Sequence, residues 1–206
     1  DDSGKPLLSW RVMVLPFLGD EAKALYEQFD LSQPWDAPKN KALLSKMPDV
    51  FRCPEQPPSE AGKTHFLAIV GEGCAWEKGK YLKRDDVQDP LEWTILIAES
   101  AKAVPWTKPE DLEYARLSNQ VENTRDSIGS LHVDDGANVA FMNYRVRLIR
   151  EPEDEGLVLK EAAKVNDGDP RMLQWVRSVR EQQRREWDAL MEDERREDDA
   201  VLDEGG

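Results

Sequence analysis

Apolar residues recur along this chain with two periods, and the period changes several times before residue 150. Residues 7–18 read LLSWRVMVLPFL. Trp10, Val12 and Val14 alternate with Arg11 and Met13, which predicts a strand ending before Pro16. Asp20 is placed to cap a helix, and Ala22, Leu25, Tyr26 and Phe29 follow at helical spacing. SQPWDAPK over 32–39 is a turn region fixed by two prolines. Asp36 or Asn40 can cap a short helix through Leu43, Leu44 and Met47, closed by Pro48. Val50, Phe51 and Cys53 form a short extended piece, and 54–63 is a polar, proline-rich loop.

THFLAIV over 64–70 and WTILIA over 93–98 predict strands, separated by glycine-bearing loops around Cys74 and Trp76. AVPWTKPED over 103–111 is again ruled by prolines, and 112–121 is a short helix or a turn. Residues 137–141 and 145–149 read as two strands, with Asn143-Tyr144 as a two-residue hairpin loop. Tyr fits poorly there, because tight hairpin turns favour glycine at positive φ. Past Arg150 the pattern loosens into a linker, 151–169, with a short helix about 157–165. Asp169-Pro170 then opens a helix on which Met172, Val176, Val179, Trp187 and Leu190 share one face. Three regions result: a globular domain 1–150, the linker 151–169, and a charged amphipathic helix with an acidic tail, 170–206.

Charge narrows the partners. The net charge is −14; residues 151–206 hold 18 acids and 9 bases, and residues 1–150 hold 24 acids and 19 bases. That balance repels phosphates, so nucleic acid is excluded as a partner, and anionic membrane surfaces are disfavoured. No apolar run reaches the roughly 18 residues that a membrane span needs. The chain begins at Asp1 without Met, so a cut N-terminus is expected, with something preceding it.

Four blocks carry a family resemblance: GKPLLSWRVMVLPFL (4–18), LYEQFDLSQPWDAPKNKALLSKMPDVFRCP (25–54), WTILIAESAKAVPWTKPEDL (93–112) and GANVAFMNYRVRLI (136–149). Together they resemble a pseudopilin-like, prepilin-type family of unknown function that is expanded in planctomycetes. The resemblance implies an α+β fold, a type IV pilin-like head with an antiparallel sheet of four to five strands, short flanking helices and, here, an added C-terminal helix. It implies a non-catalytic assembly component of a secretion-like system, extracytoplasmic, with a membrane-anchoring helix upstream of Asp1 in the full-length form. Partners would be other protein chains, met through the C-terminal helix or an exposed sheet face. No cofactor is expected. Two family turns have lost their glycine: DPLEWT stands at 89–94 and MNYRV at 142–146.

Candidate chemistry is sparse. No GxSxG or phosphate-loop motif occurs, and neither cysteine sits in a motif that lowers a thiol pKa. His132 precedes Asp134 and Asp135, which are weak metal candidates without a recognised ligand spacing; an ordinary loop is the favoured reading. Cys53 and Cys74 either form a disulfide or remain buried thiols. Trp35 with Asp36, Trp106 with Lys108, and Trp76 stand in rigid or glycine-rich loops beside polar groups. They either form an aromatic platform, making the chain a carbohydrate- or peptide-binding module, or plug the ends of the core.

Overall fold

The computed structural model describes residues 4–118, 120–122, 126–130, 136–150, 159–166, 168, 181, 184, 185 and 187. The chain divides into two compact units, Asp1–Asp167 and Gly168–Gly206. In the second, Glu181, Arg184, Arg185 and Trp187 have helical backbone. The rest of the 170–206 helix and tail, and the trio His132, Asp134 and Asp135, lie outside the described residues.

The first unit is a mixed α/β body. It starts not with a strand but with helix α1, Trp10–Met13, followed by a 3₁₀ turn over Leu15–Phe17. The apolar alternation misleads because Ser9 supplies a helix cap: its side chain accepts from the Arg11 N–H. Burying both Arg11 and Val12 then requires a helical arc, not a flat face. Gly19, at φ 107°, reverses the chain into α2, Asp20–Tyr26, whose Ala22 and Leu25 point inward with Phe29 beyond it. Helix α3, Pro38–Lys41, begins on its proline. Asn40 is not its cap. Buried, it accepts from the Asp30 N–H at 2.8 Å and donates to the carbonyls of Asp30, Gln33 and Pro34 at 2.9–3.1 Å. One amide side chain thereby satisfies the backbone of the whole turn that carries Trp35. Val50 and Phe51 belong to a 3₁₀ turn, Asp49–Phe51, instead of an extended piece.

Five strands form the sheet: β1 (Lys63–Val70), β2 (Ile95–Pro105), β3 (Leu112–Glu113), β4 (Gly136–Phe141) and β5 (Val146–Arg150), in the order β3-β1-β2-β4-β5. All pairs are antiparallel except β1 with the short β3. β2 runs well past Ala98, since its polar residues find partners. Buried Glu99 accepts from the Cys53 Sγ at 3.2 Å and from Asn138 N and Nδ2 at 3.0 and 2.9 Å. The β4–β5 loop has three residues, not two. Tyr144 N–H donates to the Phe141 carbonyl, and Phe141 N–H donates to Arg145 O, with Tyr144 at φ 65°. That is a turn followed by a left-handed residue at the bulge position, the usual three-residue hairpin. Helix α4, Leu159–Ala162, belongs to the first unit: just beyond it Val165 N–H donates to Gly73 O at 2.8 Å.

The helical lobe has its own core of Leu8, Val12, Leu15, Ala22, Leu25, Phe29, Leu43, Met47, Phe51 and, just past the end of β2, Trp106. Trp106 is 0 % exposed, stacks on Phe51 at 6.0 Å, meets Phe29 edge-on at 5.8 Å, and donates its Nε1–H to Leu44 O at 3.0 Å. Gly62, at φ 76°, makes this approach possible: a Cβ there would stand 2.8 Å from the same Leu44 oxygen.

Candidate functional site

Where β3 stops, the outer edge of β1 would leave backbone groups bare. Arg11 and Asp111 complete it. The Phe66 carbonyl accepts from Arg11 Nε at 3.0 Å and Nη2 at 2.6 Å, and Ala68 N–H donates to Asp111 Oδ1 at 2.9 Å. The two side chains are joined at 2.8 Å, and Arg11 Nη1 donates to Ser9 Oγ at 2.8 Å. An ion pair here does the work of a strand, satisfying an edge that two residues of β3 cannot reach. Burial holds the Arg11 guanidinium below its ordinary range and the Asp111 carboxyl above its own, in each case outweighing the attraction of the partner charge.

Asp111 Oδ1 also accepts from Trp10 Nε1 at 3.2 Å. Oδ2 accepts no hydrogen bond among the described residues, and the side chain is 10 % exposed. Asp111 borders a cleft of about 360 Å³ walled by Pro6, Trp10, Trp76, Lys78 and Pro109. The indoles of Trp10 and Trp76 lie 5.1 Å apart, tilted by 37°. Trp10 is half-buried: the Arg11 guanidinium sits 4.7 Å from its ring and Phe51 meets it edge-on. Trp76 donates Nε1–H to Leu96 O at 2.7 Å, so both indole N–H groups are used internally. Glu77 pairs with Lys80 at 2.7 Å and accepts from Gly73 N–H at 2.9 Å, which hold its carboxyl below the ordinary range.

The other sequence candidates are dispersed. Trp35 is half-buried against the helical core, held by its N–H on Leu7 O at 2.9 Å, with Lys108 Nζ 5.7 Å from its ring; Asp36 is exposed beside it. Lys108 is engaged by Glu110, which Lys102 also holds. Burial alone would raise the Glu110 carboxyl, but hydrogen bonds from the two lysines carry it below its ordinary range. Trp106 is internal filler, out of any ligand's reach. Cys53 and Cys74 are both buried thiols, not a disulfide, and burial pushes each up to about 11. His65 is buried too, its Nδ1 at 2.8 Å from Ser100 O and its Nε2 at 2.8 Å from Glu60 Oε2. Among the described residues no group of three or more His, Cys, Asp or Glu is placed to hold a metal ion. Trp10 and Asp111 escaped sequence reasoning, since the one was assigned to a strand and the other to a proline turn.

A second concavity, about 630 Å³, opens on the helical lobe between α2 and the 47–50 turn. Leu18, Leu25, Met47 and Val50 line it, flanked by Glu21 and Asp49. Val50 is 61 % exposed; Phe17, next to Leu18, is 86 % exposed. No described helix is long and apolar enough to cross a membrane.

Residues 1–81 match the model of a family described as a protein of unknown function, DUF1559. No curated protein and no solved structure matches the chain.

Proposed function

We propose that this chain is a non-catalytic assembly component, a pseudopilin-like head that works outside the cytoplasm by docking on other protein chains. The observation that carries the reading is the groove on the helical lobe. Phe17, Leu18 and Val50 offer large apolar side chains to solvent beside a concavity floored by Leu25 and Met47. Leaving such groups in water forfeits about 1.5–3 kcal/mol for each side chain that could be fully buried. An exposed cluster next to a preformed hollow therefore favours contact with another surface. The absence of a catalytic role is supported by the state of the nucleophiles: both thiols are buried with raised pKa, and a thiol in that state is a poor nucleophile. The type IV pilin-like architecture rests on the four sequence blocks, and the antiparallel arrangement of β1, β2, β4 and β5 is compatible with it.

The test is site-specific photo-crosslinking in the producing cell. A photoreactive residue at Val50 or Phe17 should give discrete protein adducts, and the same residue at Lys39, exposed on α3, should not. Adduct patterns that do not differ between the groove positions and Lys39 would rule out docking through this face.

A further inference from the structure

We propose that the Trp10–Trp76 cleft binds one pyranose unit of a glycan, with Trp76 as the stacking surface, Asp111 Oδ2 as acceptor for a sugar hydroxyl and Lys78 as donor at the mouth. This site is separate from the apolar groove and stands or falls apart from it.

The argument begins with the carboxylate. Asp111 is nine-tenths buried, and its Oδ1 already takes three donors, Trp10 Nε1, Arg11 Nη2 and Ala68 N. Oδ2 takes none among the described residues, yet an ionised carboxylate accepts on both oxygens. The little exposure the side chain keeps is at the cleft, so Oδ2 meets water there, and a ligand hydroxyl can take that water's place. The walls define the rest of the ligand. Trp76 spends its N–H on Leu96 O, so its ring offers carbon surface alone. Pro6 and Pro109 add rigid apolar flanks. A partner must therefore carry a flat apolar face and, at its edge, hydroxyl donors. A pyranose combines the two: its axial C–H bonds form an apolar face and its hydroxyls lie round the rim. The volume, about 360 Å³, falls near the lower end of the roughly 300–1,000 Å³ typical of small-ligand sites, which suits one or two rings.

Charge argues against an organic cation, the other usual occupant of aromatic clefts. Lys78 and Lys80 line the cleft with Glu77 and Asp111, and Asp111 is already paired with buried Arg11, so the lining has no negative excess to draw a cation. Among the described residues Lys78 makes no ion pair. A uronic acid, whose carboxylate Lys78 can meet, should bind more tightly than a neutral sugar. A peptide strand would need a run of backbone partners, and the open edge of β1 that could supply them is already filled by Arg11 and Asp111.

The experiment titrates the purified chain with cellotetraose, chitotetraose, tetragalacturonate and a proline decamer, read by calorimetry. Saturable one-site binding of at least one saccharide is expected, with tetragalacturonate favoured. Trp76→Ala should weaken it at least about tenfold. Lys78→Ala, a surface change that leaves the fold alone, should weaken tetragalacturonate about threefold and cellotetraose by a smaller factor. Melting curves check that Trp76→Ala is folded; if it is not, Trp76→Phe replaces it, and a several-fold loss is still expected from the smaller ring. Binding of none of the saccharides overturns the proposal, as does binding of the proline decamer alone. Saccharide binding undiminished in both the Trp76 and the Lys78 variants overturns it too.

Discussion

Replacing Arg11 by Met should remove a large share of the stability of the first unit. The side chain is 0 % exposed and makes four hydrogen bonds, two of them to the Phe66 carbonyl. Met fills much of the volume but donates nothing. The Phe66 oxygen loses its donors, and Asp111 becomes a buried charge without a counter-ion. Breaking a buried pair on one side costs about 3–5 kcal/mol, against a total of about 5–15 kcal/mol for a folded domain. At roughly 2–4 °C per kcal/mol for a chain of this size, Tm should fall by about 6–20 °C. The pH dependence has a definite sign. Desolvation already holds the Asp111 carboxyl above its ordinary value with Arg11 present. Without Arg11 it rises further, so the folded variant takes up a proton as pH falls, before the unfolded chain does. Protonation removes the stranded charge, and the gap between variant and wild type should narrow from pH 7 toward pH 4.5. Urea titrations followed by circular dichroism at the two pH values measure both effects. A penalty below about 1 kcal/mol at pH 7, or one that widens on acidification, would refute the account of the pair as edge completion.

Two further outcomes follow from local geometry. With both thiols pushed up to about 11 by burial, only about one in a thousand is ionised at pH 8, so Cys53 and Cys74 should react with a disulfide reagent only after unfolding, two equivalents appearing together in urea; rapid titration of either in the native protein would contradict the structure. Tyr144→Gly should raise stability by about 0.5–1 kcal/mol, because Tyr144 is 77 % exposed at φ 65° and the Arg84 guanidinium, 5.8 Å from its ring, contributes little; a lower denaturation midpoint would show that the ring contact outweighs the backbone strain.

Local signals in the sequence located much of the sheet. THFLAIV, WTILIA and the last two runs each fall on a strand, because β-branched and aromatic residues at short spacing report a pleated, half-buried surface directly. Helix α2 was legible from its spacing alone. What failed were segments whose structure is set by partners distant in sequence. Trp10–Met13 alternates like a strand, and it takes Phe66 and Asp111, both far along the chain, to explain why Arg11 turns inward. The predicted strand stopped at Ala98, and its polar continuation is intelligible only with the partners that Cys53 and Asn138 supply for Glu99. The two PW motifs look alike, yet Trp106 is enclosed by Phe29 and Phe51 while Trp35 stays at the surface of the same core. The cleft was hidden for the same reason, since its indoles and its carboxylate come from three separated stretches.

Trp106 and Asp111 both lie beyond residue 81, where the family match ends, yet one sits at the centre of the helical core and the other completes the edge of β1. The matched portion, residues 1–81, is thus not self-sufficient. Severed anywhere between 81 and 106, it would carry a hole the size of an indole and a guanidinium without its counter-ion.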